Sequence, residues 1–117
     1  MVTYRIDRLN KEFLRAIASM LSTRIKDPAA TEAILVHVDT SRDLGHAKVY
    51  YTLLDESRKQ DVQAGLDRVR GQIRGQLGRE MHIRQIPELH FIYDESEKQA
   101  RSIDALIDQV MQKDKKS

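Results

Sequence analysis

Arg68, Arg70, Arg74, Arg79 and Arg84 crowd one stretch of the chain, and Gly71, Gly75 and Gly78 are interleaved with them. A guanidinium is a planar fork of donors that matches the oxygens of a phosphate. A glycine on an exposed helical face removes the side chain that would hold another backbone away. Arginine beside glycine therefore suits the approach of a sugar-phosphate backbone. The same residues leave other readings open. The arginines could form a solvated helix face, the glycines could form a packing seam against another helix, and Gly78 could be a helix C-cap. A second basic stripe, Arg8, Lys11 and Arg15, recurs at i, i+3 and i+7 and either extends the same surface or is ordinary helix solvation.

Other chemistries find little support. Cysteine is absent, so disulfides and thiolate metal sites are excluded. His37, His46, His82 and His90 make no i, i+4 helical pair, and no metal ion or other cofactor is expected. His37 and His90 fall in strand-like segments and could pair across a sheet. Ser41 has no base placed beside it, no Walker-type phosphate loop occurs, and no catalytic residue is assigned.

These residues need a scaffold. The chain has 117 residues and 40% hydrophobic content, enough for one domain with a core. Its longest apolar run is Ala33 to Val36, too short for a membrane span or signal peptide, so the expected address is the cytoplasm. The net charge is +2, spread as +3 over residues 1–27, −3 over 28–57, +4 over 58–84 and −2 over 85–117.

The hydropathy period predicts a helix over residues 4–26, with Ile6, Leu9, Phe13, Leu14, Ile17, Leu21 and Ile25 on its buried face. Asp27-Pro28 ends it. Alternation predicts strands over 33–39 and 46–54, joined by a turn in which Gly45 can take positive φ. Ile34, Val36 and Val38 form one face of the first strand. Ala47, Val49, Tyr51 and Leu53 form the core face of the second, leaving Tyr50 to stack on a base or sit on a helix. Residues 61–82 have helical period, with Gly71, Gly75 and Gly78 opposite Val62, Val69 and Ile73. Arg68 and Arg79 flank that glycine face on one side and Arg74 on the other. A third strand follows Pro87, carrying Leu89, Phe91 and Tyr93 on one face. A last helix over 97–112 opens at Ser96, and 113–117 is a charged tail. The order predicts a single α+β domain over 1–112, a three-stranded sheet with helices on one face.

Several stretches resemble the bacterial ribosome-binding factor A family: Lys26-Asp27-Pro28, Ser41-Arg42-Asp43-Leu44 ahead of Ala47-Lys48-Val49-Tyr50, Ile73-Arg74 ahead of Leu77-Gly78, Arg84, and Ile86-Pro87-Glu88-Leu89 with Phe91 and Asp94. The resemblance covers about residues 5–111. It implies a type II KH-like fold, with the Gly-x-x-Gly loop of ordinary KH domains replaced by a helix kink of pattern Ala-x-Gly. The aligned positions are Val69, Arg70 and Gly71, so a kinked helix pair is expected near Gly71. It also implies a non-enzymatic, monomeric assembly factor that binds free small ribosomal subunits and their ribosomal RNA, with no DNA or membrane partner. Late subunit maturation, processing of the 5′ end and growth in the cold follow from the same likeness. Taken with the arginine and glycine face, the expected RNA-binding residues are Arg68, Arg70, Gly71, Arg74, Gly75, Arg79, Arg84, Arg8, Lys11 and Arg15. A general KH-type single-stranded RNA chaperone and a protein-interaction module are the alternatives.

Overall fold

A computed structural model describes residues 2–95 of the protein, with side chains from Arg5 onward. The elements are α1 (Val2–Thr23), β1 (Ile34–Thr40), β2 (His46–Thr52), α2 (Lys59–Glu80) and β3 (Glu88–Tyr93), with 3-10 turns at Ala30–Glu32 and Glu56–Arg58. The sheet order is β1-β2-β3. β1 and β2 are antiparallel, whereas β2 and β3 are parallel. A parallel neighbour needs a crossover, and α2 supplies it. The expected helix over 97–112 and the tail lie outside the described residues.

Both helices pack on the sheet face that carries Ala47, Val49, Tyr51, Leu89 and Phe91. α1 contributes Phe13, Ile17, Met20 and Leu21 to this core, and α2 contributes Val62, Leu66, Val69, Ile73 and Leu77. A polar chain runs through it. The Tyr51 hydroxyl donates to Gln63 Oε1, and Gln63 Nε2 donates 2.9 Å to the Phe91 carbonyl, joining β2, α2 and β3. Burial pushes the Tyr51 phenol up to about 12.

Four sequence expectations are corrected. The kinked helix pair near Gly71 is one continuous helix, running through Val69, Arg70 and Gly71 to Glu80, so Gly78 does not end it either. Energetics explain this. Five buried apolar side chains keep one helical period across the glycines. At about 1.5–3 kcal/mol each they outweigh four glycines at about 1 kcal/mol each. In β1 a bulge shifts the register between Leu35 and His37. The extra residue flips the alternation, so Leu35 packs on the core while Ile34 and Val36 stay exposed. In the β1–β2 turn the positive φ belongs to Leu44, at 61°, and not to Gly45. Asp43 Oδ1 accepts from the Gly45 amide at 2.9 Å and from the Ser41 hydroxyl at 2.7 Å, which holds the turn in that form. Finally, His37 cannot reach His90 because β2 lies between their strands. His37 instead stacks on Tyr50, with ring centroids 4.3 Å apart.

Candidate nucleic-acid interface

The polar side of α2 divides near its middle. At Gly65 the helix meets the α1–β1 connection so closely that a Cβ would sit 2.8 Å from the Ala30 amide nitrogen and 2.9 Å from Asp27 Oδ1. The close packing thus falls at Gly65, against a connection rather than another helix. Asp27 Oδ1 also accepts from the Ala29 and Ala30 amides, both at 3.1 Å, and so starts the 3-10 turn. Arg68 closes the seam. Its Nε donates to Asp27 Oδ2 at 2.9 Å and its Nη2 to Asp27 Oδ1 at 3.3 Å. The Arg68 guanidinium and the two amides hold the Asp27 carboxyl below its usual range, and Asp27 in turn raises Arg68. Arg68 is thus tied to the α1–β1 connection by an ion pair, with 59% of its side chain still exposed.

One turn further on the surroundings change. Among the described residues, a Cβ built on Gly71 meets nothing within 4 Å, and one on Gly75 meets only Arg79 Nη1 at 3.9 Å. Gly71 lines an open cavity of about 230 Å³ with Arg70, Arg74, Glu88, Leu89 and His90. Arg74 is fixed there by backbone acceptors: its Nη2 donates to the Ile86 carbonyl at 2.9 Å and its Nε to the Pro87 carbonyl at 3.2 Å. Neutral carbonyls orient the guanidinium without cancelling its charge. Arg70 is exposed and has no hydrogen-bond or ion-pair partner among the described residues. Arg79 donates to Gln76 Oε1 at 2.8 Å, a neutral partner on its own helix.

Arg84 belongs to a second surface. It borders a groove of about 490 Å³ whose apolar lining comes from Ile6, Leu9, Leu44 and Ile83. Arg5, Arg42 and His82 stand beside it around the same groove. None of the three arginines is ion-paired among the described residues. The 81–87 segment links the two surfaces, because Arg84 lines the groove while the Ile86 and Pro87 carbonyls hold Arg74. An apolar floor rimmed by cations can take a base or sugar while the arginines hold phosphates. The sequence reading missed Arg5 and Arg42. Arg42 carried a usable signal, since a cation in a tight turn beside Leu44 projects from the sheet end. Arg5 sits one position before Ile6 and is legible only once the third dimension brings α1 to that turn.

The α1 stripe is only partly free. Arg8 pairs with Glu12 at 3.5 Å, an exposed i, i+4 contact of little energetic weight. Lys11 and Arg15 are exposed, without an ion pair among the described residues. The structure therefore brings Arg70, Gly71 and Arg74 together, leaves Gly75 and Arg79 exposed beside them, and sets Arg68 apart by its ion pair with Asp27.

Comparison with known proteins agrees with this architecture. The family model described as ribosome-binding factor A matches residues 5–107. The Neisseria gonorrhoeae ribosome-binding factor A is 39% identical over 91% of this chain and 86% of that protein. Its counterpart in Thioalkalivibrio sulfidiphilus is 38% identical over 95% of this chain and 87% of that protein. The crystal structure of ribosome-binding factor A from Thermus thermophilus superposes with a TM-score of 0.66 at 22% identity, over 75% of this chain and 93% of that one. A homology model of the Thermus thermophilus factor, fitted into a cryo-EM map of its complex with 30S, gives a TM-score of 0.64 at 22% identity, over 77% and 96% of the two chains. Matched along most of its length by a family model and by relatives well above 30% identity, this chain belongs to the ribosome-binding factor A family.

Proposed function

We propose that this protein binds the free small ribosomal subunit through its ribosomal RNA and supports late maturation of that subunit, including processing of the RNA 5′ end and growth in the cold. The Thermus thermophilus relative seen with 30S supports the choice of partner. The observation that carries the RNA surface is Gly71, open to approach and flanked by Arg70 and Arg74 in one polar cavity. Arg70, Arg74, Arg79 and Arg84 contact phosphates, Arg5 and Arg42 extend the track, and Gly71 and Gly75 let the RNA backbone come close. Lys11 and Arg15 add an outlying patch. The work is binding, with no bond made or broken, and the protein acts as a cytoplasmic monomer. Among the described residues no helix is long and apolar enough to cross a membrane.

Cosedimentation with free small subunits, large subunits and joined ribosomes at two salt concentrations tests this reading. Selective association with free small subunits, weakened by salt, is expected. With about four phosphate contacts the log–log salt slope is near −3 on single-stranded RNA. Equal binding to every fraction would leave a general RNA chaperone. No binding at low salt would overturn the RNA reading and favour a protein partner.

A further inference from the structure

His46, Glu88 and His90 form a cluster on the sheet face away from the helices. We infer that these three side chains form a binding site for a divalent transition-metal ion, zinc being the natural probe. The topology assembles it. His46 opens β2, Glu88 opens β3, and the two are direct partners in the parallel ladder. His90 lies two residues beyond Glu88, on the same face. The Glu88 amide donates to the Gly45 carbonyl at 2.9 Å, which pins the two strand starts together.

The donor atoms already converge. His46 Nδ1 and His90 Nε2 are 2.9 Å apart, and His46 Nδ1 is 3.9 Å from a Glu88 carboxylate oxygen. All three donor atoms lie within 4.8 Å of one another. Zinc bonds of about 2.0–2.1 Å at a tetrahedral angle place two ligand atoms roughly 3.3 Å apart. Side-chain shifts of under about 1 Å therefore suffice, well within rotamer adjustment at an exposed site. Two imidazoles and one carboxylate leave a coordination position for water. With no thiolate present, the set suits zinc, nickel or copper better than magnesium or calcium, which favour all-oxygen shells. On metal binding, the proton between the facing ring nitrogens moves to the other nitrogen of its own ring, which frees both facing lone pairs for the ion. A cation here would offset the one carboxylate lining the arginine cavity. That consequence rests on the RNA reading above; the metal site itself does not.

The test is calorimetric titration of the purified full chain with zinc chloride at neutral pH, followed by thermal unfolding. One ion per chain with micromolar affinity is expected, unaffected by a large excess of magnesium. Saturating zinc should raise Tm by at least about 5 °C, because the ion binds only the folded ligand set. His46→Gln and His90→Gln should each lose binding at least tenfold, whereas His37→Gln and His82→Gln should not. The His46 and Glu88 side chains are 59% and 65% exposed, so substitution there leaves the fold intact, which far-UV circular dichroism checks. Absence of micromolar binding, displacement by magnesium, or equal binding in the His46 and His90 variants would each overturn the site. None of these outcomes depends on whether the protein binds RNA.

Discussion

The two halves of α2 are built from the same residue types and do opposite work. In the first half, Gly65 is pressed against Ala30, and Arg68 is consumed by Asp27. Arg58, just before the helix, is likewise held by Glu32 at 2.8 Å and Asp61 at 2.7 Å. In the second half, Gly71 faces open space and Arg70 has no partner among the described residues. The difference lies in what crosses above the helix. The α1–β1 connection covers the first half and brings Asp27, which accepts from Arg68 and from the Ala29 and Ala30 amides. Over the second half the segment before β3 offers Arg74 the carbonyls of Ile86 and Pro87, which orient it, and among the described residues Arg74 forms no ion pair. A glycine or an arginine in a helix has no fixed role, and the neighbouring segment assigns it.

That contrast can be broken deliberately, and the largest effect belongs to the closed half. Gly65→Ala places a methyl 2.8 Å from a backbone nitrogen, so the 3-10 turn and α2 must separate at a cost of about 1–3 kcal/mol. Denaturant unfolding should read this as a lower midpoint at unchanged slope. In the open half, Arg70→Ala with Arg79→Ala should leave the midpoint within about 0.5 kcal/mol. The same double variant should weaken RNA binding at least tenfold and flatten the log–log salt slope by about 1.4. Gly71→Ala should raise stability by about 0.5–1 kcal/mol, because the methyl enters empty space and helix propensity improves. If an RNA backbone approaches there, the same variant binds RNA less well, and a gain in stability with unchanged affinity would separate Gly71 from the interface.

The smallest effect is a pH dependence. The Asp27 carboxyl is depressed in the folded protein by Arg68 and the Ala30 and Ala29 amides. Its contribution is therefore fully present above the unfolded value of about 3.9 and is lost as pH falls through the lower folded value. Arg68→Gln should lower Tm by a few degrees at pH 7 and converge on the wild-type curve in strong acid. Thermal melts across pH 2–7 would show it, and parallel curves would mean that the pair contributes nothing.

Much of the fold was legible because it is written in periods. The strand face Ala47, Val49 and Tyr51 and the helix stripe Val62, Leu66, Ile73 and Leu77 appear in the core as their spacing requires. The β1 bulge was not legible, since a one-residue insertion changes pairing without changing composition. The continuous α2 was legible in the helical period of residues 61–82; the expected kink near Gly71 came from the family resemblance, and the packed stripe runs through it. For the site, the chain offered arginines and glycines around Gly71 but could not separate Arg68, which is ion-paired, from Arg70, which among the described residues is not. They lie two positions apart, and the carboxylate that distinguishes them sits at Asp27, 41 residues from Arg68. The groove around Arg5, Arg42 and Arg84 is equally non-local, drawn from three separate segments.

The most direct measurement is cosedimentation of two folded variants with free small ribosomal subunits at moderate salt: Arg70→Ala with Arg79→Ala, and Arg68→Ala alone. If the open half of α2 faces the RNA, the double variant leaves the subunit fraction while the Arg68 variant stays with it as wild type does. Retention of the double variant, or loss of the Arg68 variant alone while still folded, would contradict the division of α2 into a structural half and a binding half.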